Sequence, residues 1–332
     1  MNFSTGNIIL DSLLLALGLF MLLKGSDMFV DASAFIARHF NVSEIIIGLT
    51  LVSIGTSLPE LATNIYASFS GEAEIALGNV VGSNITNISL ILGVAALIGK
   101  GLPVPKSMIQ RDIPAMIFVF IFFFFLCYTG PGGDKPDHFL SRLDGLLLLA
   151  FFIIYLISLF KNKSAGETTE NKEEKHDGHK VQSVLKAVIF FILGLIMITA
   201  GSKLAVDNVV YIATKLHIPK ELISATIIAF GTSIPELAVT VTGIIKKQGG
   251  LALGNIIGSC IFNIVLVMSS AVIISPLSVS SQMLSFILPL MLLCGISLSI
   301  FMKTENKLIK SEGFILLLLY VVFIIYNIKQ VV

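Results

Sequence analysis

Charge is scarce in this chain. Only 13% of its 332 residues are Asp, Glu, Lys or Arg, 55% are hydrophobic, and mean hydropathy is +0.94. That balance excludes a soluble globule, because apolar runs of about 18 residues or more need a bilayer to cover them. The net charge of +1 offers no hold on nucleic acid. Cysteine is scarcer still: Cys127, Cys260 and Cys294 all sit in apolar surroundings, which excludes a disulfide framework. The first 23 residues hold no Lys or Arg, so no cleavable signal peptide is expected. The chain also lacks His-x-x-x-His, paired aspartates at catalytic spacing and a base for a serine nucleophile, which excludes an intramembrane enzyme.

What the chain does have is a repeat. Gly55-Thr56-Ser57-Leu58-Pro59-Glu60 returns as Gly231-Thr232-Ser233-Ile234-Pro235-Glu236, an offset of 176 residues, as from 60 to 236. The same offset relates Gly78-Asn79 to Gly254-Asn255, Gly82-Ser83 to Gly258-Ser259, and Asn87 to Asn263. Upstream it relates Gly18 to Gly194, Gly25-Ser26 to Gly201-Ser202, and Val30-Asp31 to Val206-Asp207. A correspondence running from about residue 17 to about residue 90 marks a duplicated unit.

Hydropathy places ten spans, at about 8–34, 45–68, 74–98, 113–128, 143–160, 183–209, 221–245, 250–274, 283–302 and 312–328. The one sizeable polar stretch, 161–182, is rich in Lys, Glu, Ser and Thr and reads as a flexible linker. Its His176-Asp177-Gly178-His179 is expected to be solvated rather than metal-bound. The expected organisation is therefore a first five-helix repeat at 1–160, the linker, and a second five-helix repeat at 183–332. Within them the duplicated cores are about 45–98 and 221–274. Five crossings per unit put the second on the opposite membrane face, so the fold class is an all-α membrane protein of ten transmembrane helices in two inverted-topology repeats. Fifteen Lys and Arg fall in loops on one side and five on the other. This bias puts both termini outside and the linker in the cytoplasm of a multi-pass protein of the plasma (inner) membrane.

The motifs sit where carboxylates are costly: a charge at mid-bilayer costs roughly 2.5–3.5 kcal/mol and marks a functional site by default. Pro59 and Pro235 lack an amide hydrogen and displace the carbonyls of Gly55 and Gly231, so each helix is broken at a depth where water is scarce. Thr56 and Glu60 are i and i+4 on one face, as are Thr232 and Glu236. Inversion brings the two breaks together near mid-membrane, with Ser57, Ser233, Asn87 and Asn263 adding oxygens. Gly78, Gly82, Gly254 and Gly258 are expected to let neighbouring helices approach closely. An all-oxygen set without His or accessible thiols suits Ca²⁺ or Na⁺ rather than Zn²⁺ or Cu. Two glutamates suit mutually exclusive occupancy by one Ca²⁺ or by Na⁺, which is what antiport requires. Protons should compete with the cations there, so acid pH should inhibit transport. A structural reading exists too: Ser57-x-x-Glu60 and Ser233-x-x-Glu236 fit a capping box with Pro just inside the helix. Elsewhere, Lys24 and Asp27 are expected to form a local ion pair, and the run Phe118 to Phe125 a lipid-facing or packing surface.

The duplicated G-T-S-x-P-E followed by G-N-x-x-G-S resembles the cation/Ca²⁺ antiporter superfamily, in its microbial sodium/calcium exchanger branch, over essentially the whole chain. The resemblance implies exchange of Na⁺ for Ca²⁺ by alternating access at a mid-membrane site, with helices one and six sliding against helices two, three, seven and eight. Carried over, Glu60, Glu236 and the Thr56 and Thr232 carbonyls hold Ca²⁺. One flanking Na⁺ site uses Ser53 backbone, Thr56, Ser57, Glu60 and Ser83, and the other uses Ala229 backbone, Thr232, Ser233, Glu236 and Ser259. Asn87 and Asn263 take the central position. Potassium-dependent relatives carry an acid where this chain has Asn263, so transport is expected to be K⁺-independent. Proton-coupled relatives carry G-N-x-x-E, and its absence here favours Na⁺ coupling. Cys260, where the first repeat has Asn84, is expected to pack. H⁺/Ca²⁺ or other divalent-cation antiport, and in another class a cation channel, are the alternatives. The implied partners are inorganic cations and the lipid bilayer, with no cofactor, enzyme activity or obligatory protein partner.

Overall fold

The computed structural model describes residues 3–71, 73–129, 138–161, 183–217 and 229–331. Residues 162–182 of the expected linker, with its two histidines, and residues 221–228 of the seventh expected span lie outside the described residues. The rest is mostly helical: α1 (Ile8–His39), α2 (Glu44–Thr56), α3 (Leu58–Phe69), α4 (Ile75–Ile98), α5 (Met108–Tyr128), α6 (Arg142–Lys161) and α7 (Val184–Lys215). There follow a single turn, Ala229–Gly231, and then α8 (Ile234–Ile245), α9 (Gly249–Ile274), α10 (Met283–Lys303) and α11 (Lys310–Val331). Among the described residues, eight of these are long and apolar enough to cross a membrane, or nine if the broken pair α2 and α3 is one span.

Helix starts follow local chemistry. Asn7, Ser43 and Ser183 have extended backbone and accept hydrogen bonds from first-turn amides, as N-caps do. α5 begins five residues before its expected start, because its first turn is a wide one (Met108–Asp112) in which Arg111 Nε reaches Asp112 at 2.7 Å. A paired charge can join a buried helix. Hydropathy, which counts only polarity, ends the span short of it.

The chain folds as two compact units that interleave along the sequence. Unit 1 comprises Met1–Thr56, Lys163–Asn255 and Ile324–Val332, and unit 2 comprises Ser57–Asn162 and Ile256–Phe323. The chain passes from one to the other inside the first motif, after Thr56, and inside α9, after Asn255.

Unit 1 is built on α1 packed antiparallel to α7. Gly18 faces Gly201 and Gly25 faces Gly194: a Cβ on either Gly18 or Gly25 would lie 2.9 Å from the opposite glycine's carbonyl oxygen. Only residues without side chains allow backbones this close. Gly194 and Gly201 are the repeat counterparts of Gly18 and Gly25, so each helix offers the same glycine pair to the other. Leu22, Phe29, Val30, Ile198, Ala205 and Val239 fill the adjoining core. The local Lys24–Asp27 pair is corrected here: Asp27 pairs with Lys246, at the C-terminus of α8, at 3.2 Å, and Asp31 with the same ammonium at 2.7 Å. The distant lysine wins because it bonds two carboxylates and the Asp27 carbonyl together.

Unit 2 packs around fully buried Phe120, Phe123, Phe262, Met116, Ile88 and Leu298. The phenylalanine run of α5 divides by helical period, Phe120 and Phe123 facing in while Phe118 and Phe125 are 52% and 59% exposed. Two short antiparallel bridges tie loops together: β1 (Leu102–Pro103) pairs with β4 (Lys307–Leu308), and β2 (Phe139–Leu140) with β3 (Leu277–Ser278).

Candidate cation site

Both motifs break their helices in the same way. Ser57 has φ −88° and ψ 4°, Ser233 has φ −89° and ψ 3°, and a new helix starts immediately after each. The cause is local. Pro59 and Pro235 occupy the second helical position, where the absent amide hydrogen costs nothing, while upstream it removes one bond of the preceding helix. Glu60 and Glu236 fall in the first turn after each break and are 1% exposed. A carboxylate there lies at the positive end of its helix.

The capping box does not form. Neither Ser57 nor Ser233 makes a side-chain cap hydrogen bond. Their ψ near 0° is the physical reason, since an N-cap side chain reaches its amide from extended backbone, as at Asn7, Ser43 and Ser183. The hydroxyls are thereby released for other work.

In unit 1 the structure places Ser53, Thr56, Ala229, Thr232, Ser233 and Glu236 of the expected set. Ser53 Oγ donates to the Thr50 carbonyl at 3.2 Å. Thr56 Oγ1 donates to Asn255 Oδ1 at 3.0 Å, and Asn255 Nδ2 donates to Thr240 Oγ1 at 3.3 Å. Ala229 opens the single turn before the second break, and Ser233 Oγ is buried with no hydrogen-bond partner among the described residues.

In unit 2 it places Ser57, Glu60, Ser83, Asn87, Ser259 and Asn263. Ser57 Oγ donates to Ser259 Oγ at 3.2 Å, so members of the two expected Na⁺ sets touch. Asn64 Nδ2 donates to the Glu60 carbonyl at 2.7 Å and Asn79 Nδ2 to Asn64 Oδ1 at 3.4 Å. Asn263 Nδ2 donates to Asn84 Oδ1 at 3.2 Å. That leaves Asn263 Oδ1, and both amide atoms of Asn87, buried without a hydrogen-bond partner among the described residues.

Expectation and structure differ at the glycines. A Cβ on Gly254 would lie 2.6 Å from the Ile45 carbonyl, a close approach as expected, but one on Gly78 meets nothing within 4 Å and one on Gly82 meets only Phe323, at 3.7 Å. The residues that sequence reasoning missed are Asn64, Thr240 and Asn84. Asn64 and Thr240 stand four residues after Glu60 and Glu236, at the repeat offset, but as different residue types. The offset combined with the helical period is the signal that finds them.

A buried oxygen left without a donor costs about 1–3 kcal/mol. Asn87 Oδ1 and Asn263 Oδ1 in unit 2 are such oxygens, and so is Ser233 Oγ in unit 1, and each unit also buries one of the two glutamates. A hard cation is the ligand this chemistry accepts. Among the described residues, no group of three or more His, Cys, Asp or Glu assembles.

Known proteins resemble the chain closely. The family described as sodium/calcium exchanger protein matches residues 11–161 and 186–329. The sodium/calcium exchanger MaX1 of Methanosarcina acetivorans is 35% identical over 94% of this chain and 97% of its own. The uncharacterized membrane protein MJ0091 of Methanocaldococcus jannaschii is 37% identical over 93% of this chain and 95% of its own. Among solved structures, the sodium-calcium exchanger NCX_Mj soaked with Na⁺ and no Ca²⁺ superimposes with TM-score 0.80 at 36% identity, covering 95% of this chain and 98% of the other.

Proposed function

This chain belongs to the sodium/calcium exchanger family, and from that premise we propose that it exchanges Na⁺ for Ca²⁺ across a membrane by alternating access, without K⁺. The observation that carries the proposal is the pair of buried glutamates, 1% exposed, each in the first turn after an identical helix break. Glu60 and Glu236 with the Thr56 and Thr232 carbonyls form the Ca²⁺ site. The flanking Na⁺ sites are Ser53, Thr56, Ser57, Glu60 and Ser83, and Ala229, Thr232, Ser233, Glu236 and Ser259, with Asn87 and Asn263 between them. Because both ions need the glutamates, the site carries one cargo or the other, and a site that is shared rather than continuous couples their fluxes.

The proposed architecture is ten transmembrane helices in two inverted repeats, 1–160 and 183–332, with a cytoplasmic linker at 161–182 and both termini outside the plasma membrane. Two features of the fold support the inversion. Gly18 meets Gly201 while its counterpart Gly194 meets Gly25. The loop bridges cross over likewise, β1 with β4 and β2 with β3, so that exchanging the two repeats maps one bridge onto the other.

The test is Ca²⁺ uptake into proteoliposomes loaded with Na⁺ and diluted into Na⁺-free buffer. Uptake should require internal Na⁺ and ignore K⁺. Uptake driven by a pH gradient alone transfers the protein to proton coupling, and flux that needs no counter-ion makes it a channel.

A further inference from the structure

Pro235 leaves the Gly231 carbonyl without the amide that a continuous helix would supply. The structure fills that place from another helix: Ser202 Oγ, in the middle of α7, donates to the Gly231 carbonyl at 3.3 Å in buried surroundings. The contact has a second component one turn along α7. A Cβ on Gly231 would lie 3.1 and 3.3 Å from the two methyls of Val206, so the bare glycine is what admits α7 to the break. The first copy is arranged differently. Ser26, the counterpart of Ser202, lies 2.8 Å from Thr242 Oγ1 and also donates to the Leu23 carbonyl. The atoms nearest a Cβ on Gly55 would be ring and methyl carbons of Phe29 and Leu195, at 3.4 to 3.6 Å.

We propose that Ser202 is a positioning residue for the second motif, holding the Gly231 carbonyl so that the adjoining Thr232 and Ser233 keep their ion-binding geometry, and that Ser26 has no such role in the first. The backbone part of this inference stands on geometry alone. Its transport consequence rests on the exchange reading.

The test compares Ser202→Ala, Ser202→Thr and Ser26→Ala, each purified and shown to be monodisperse. Hydrogen–deuterium exchange of the segment 230–237 is measured in detergent, and Na⁺-driven Ca²⁺ uptake in proteoliposomes. Ser202→Ala should speed amide exchange in that segment about three- to ten-fold, the effect of removing a partner from a buried carbonyl. It should raise the half-saturating internal Na⁺ by a similar factor while maximal rate changes by about two-fold at most. Ser202→Thr, which keeps the hydroxyl, should restore both values, and Ser26→Ala should leave both as in the wild type. Unchanged exchange in Ser202→Ala, an equal effect of Ser26→Ala, or a Thr variant as impaired as Ala overturns the proposal. Wild-type protein that shows no Na⁺-coupled uptake overturns the exchange reading instead, and the amide-exchange arm still decides the role of Ser202.

Discussion

Residue 70 and its counterpart 246 both end the helix that follows a motif, with nearly the same backbone: φ −80° and ψ 0° at Ser70, φ −83° and ψ 7° at Lys246. Ser70 is exposed, whereas Lys246 reaches α1 and binds Asp27 and Asp31. The same contrast recurs inside the two copies. Asn84 accepts a hydrogen bond from Asn263, while its counterpart is the buried thiol Cys260. Asn64 holds the Glu60 carbonyl, while its counterpart Thr240 accepts from Asn255. The two copies therefore share a backbone and differ in what fastens it. Duplication preserves the break and the carboxylate, which the proposed ion site uses, and leaves the supporting bonds free to diverge.

The comparison breaks most sharply if the carboxylates are unequal. Glu60→Gln and Glu236→Gln should each reduce Na⁺-dependent Ca²⁺ uptake by about 100-fold or more, the scale of leaving a buried charge without its partner. Substantial uptake by either variant would make that copy dispensable.

The glycines come next. Gly18→Leu forces side-chain atoms into a space where even a Cβ lies 2.8 Å from the Ala205 amide nitrogen, and should cost about 1–3 kcal/mol, read as a lower Tm in detergent. Gly194→Leu should cost the same, since its Cβ meets the Gly25 carbonyl at 2.8 Å. Gly78→Leu, whose Cβ meets nothing within 4 Å, should stay within about 0.5 kcal/mol of wild type. Equal losses at Gly18 and Gly78 would remove the close crossing of α1 and α7 from the account of unit 1.

The smallest effect is expected at Lys246. Its ammonium and the two carboxylates are 25% to 37% exposed, so water screens the pair, and Lys246→Gln should cost about 1 kcal/mol or less. The loss should shrink in high salt and be absent from Ser70→Ala. A double-mutant cycle with Asp31→Asn measures the coupling directly, and a coupling of zero would reduce the cluster to surface charge.

Much of the candidate site's local structure was legible because its causes are local. A proline lacks an amide hydrogen and removes a bond from the turn before it, so breaks at Ser57 and Ser233 were expected from Pro59 and Pro235, whereas α5 and α10 run on through Pro114 and Pro289. A glutamate in an apolar run announces itself by its cost. The capping-box alternative fails for a reason the residue types cannot reveal: the same Ser-x-x-Glu pattern caps from extended backbone and does not cap at ψ near 0°. The glycines of α4 were misjudged because a sequence marks where a side chain is missing and says nothing of what stands opposite.

Membrane class, duplication, helix breaks and buried carboxylates were thus settled by composition, spacing and covalent geometry. The partners were settled only by the tertiary structure: Lys246 for Asp27, Ser259 for Ser57, Asn263 for Asn84, Ser202 for Gly231. A hydrogen bond acts over about 3 Å, and the first three of these pairs are separated by 219, 202 and 179 residues of chain. Which donor meets which acceptor across such a distance depends on how helices face one another, and helix packing decides that.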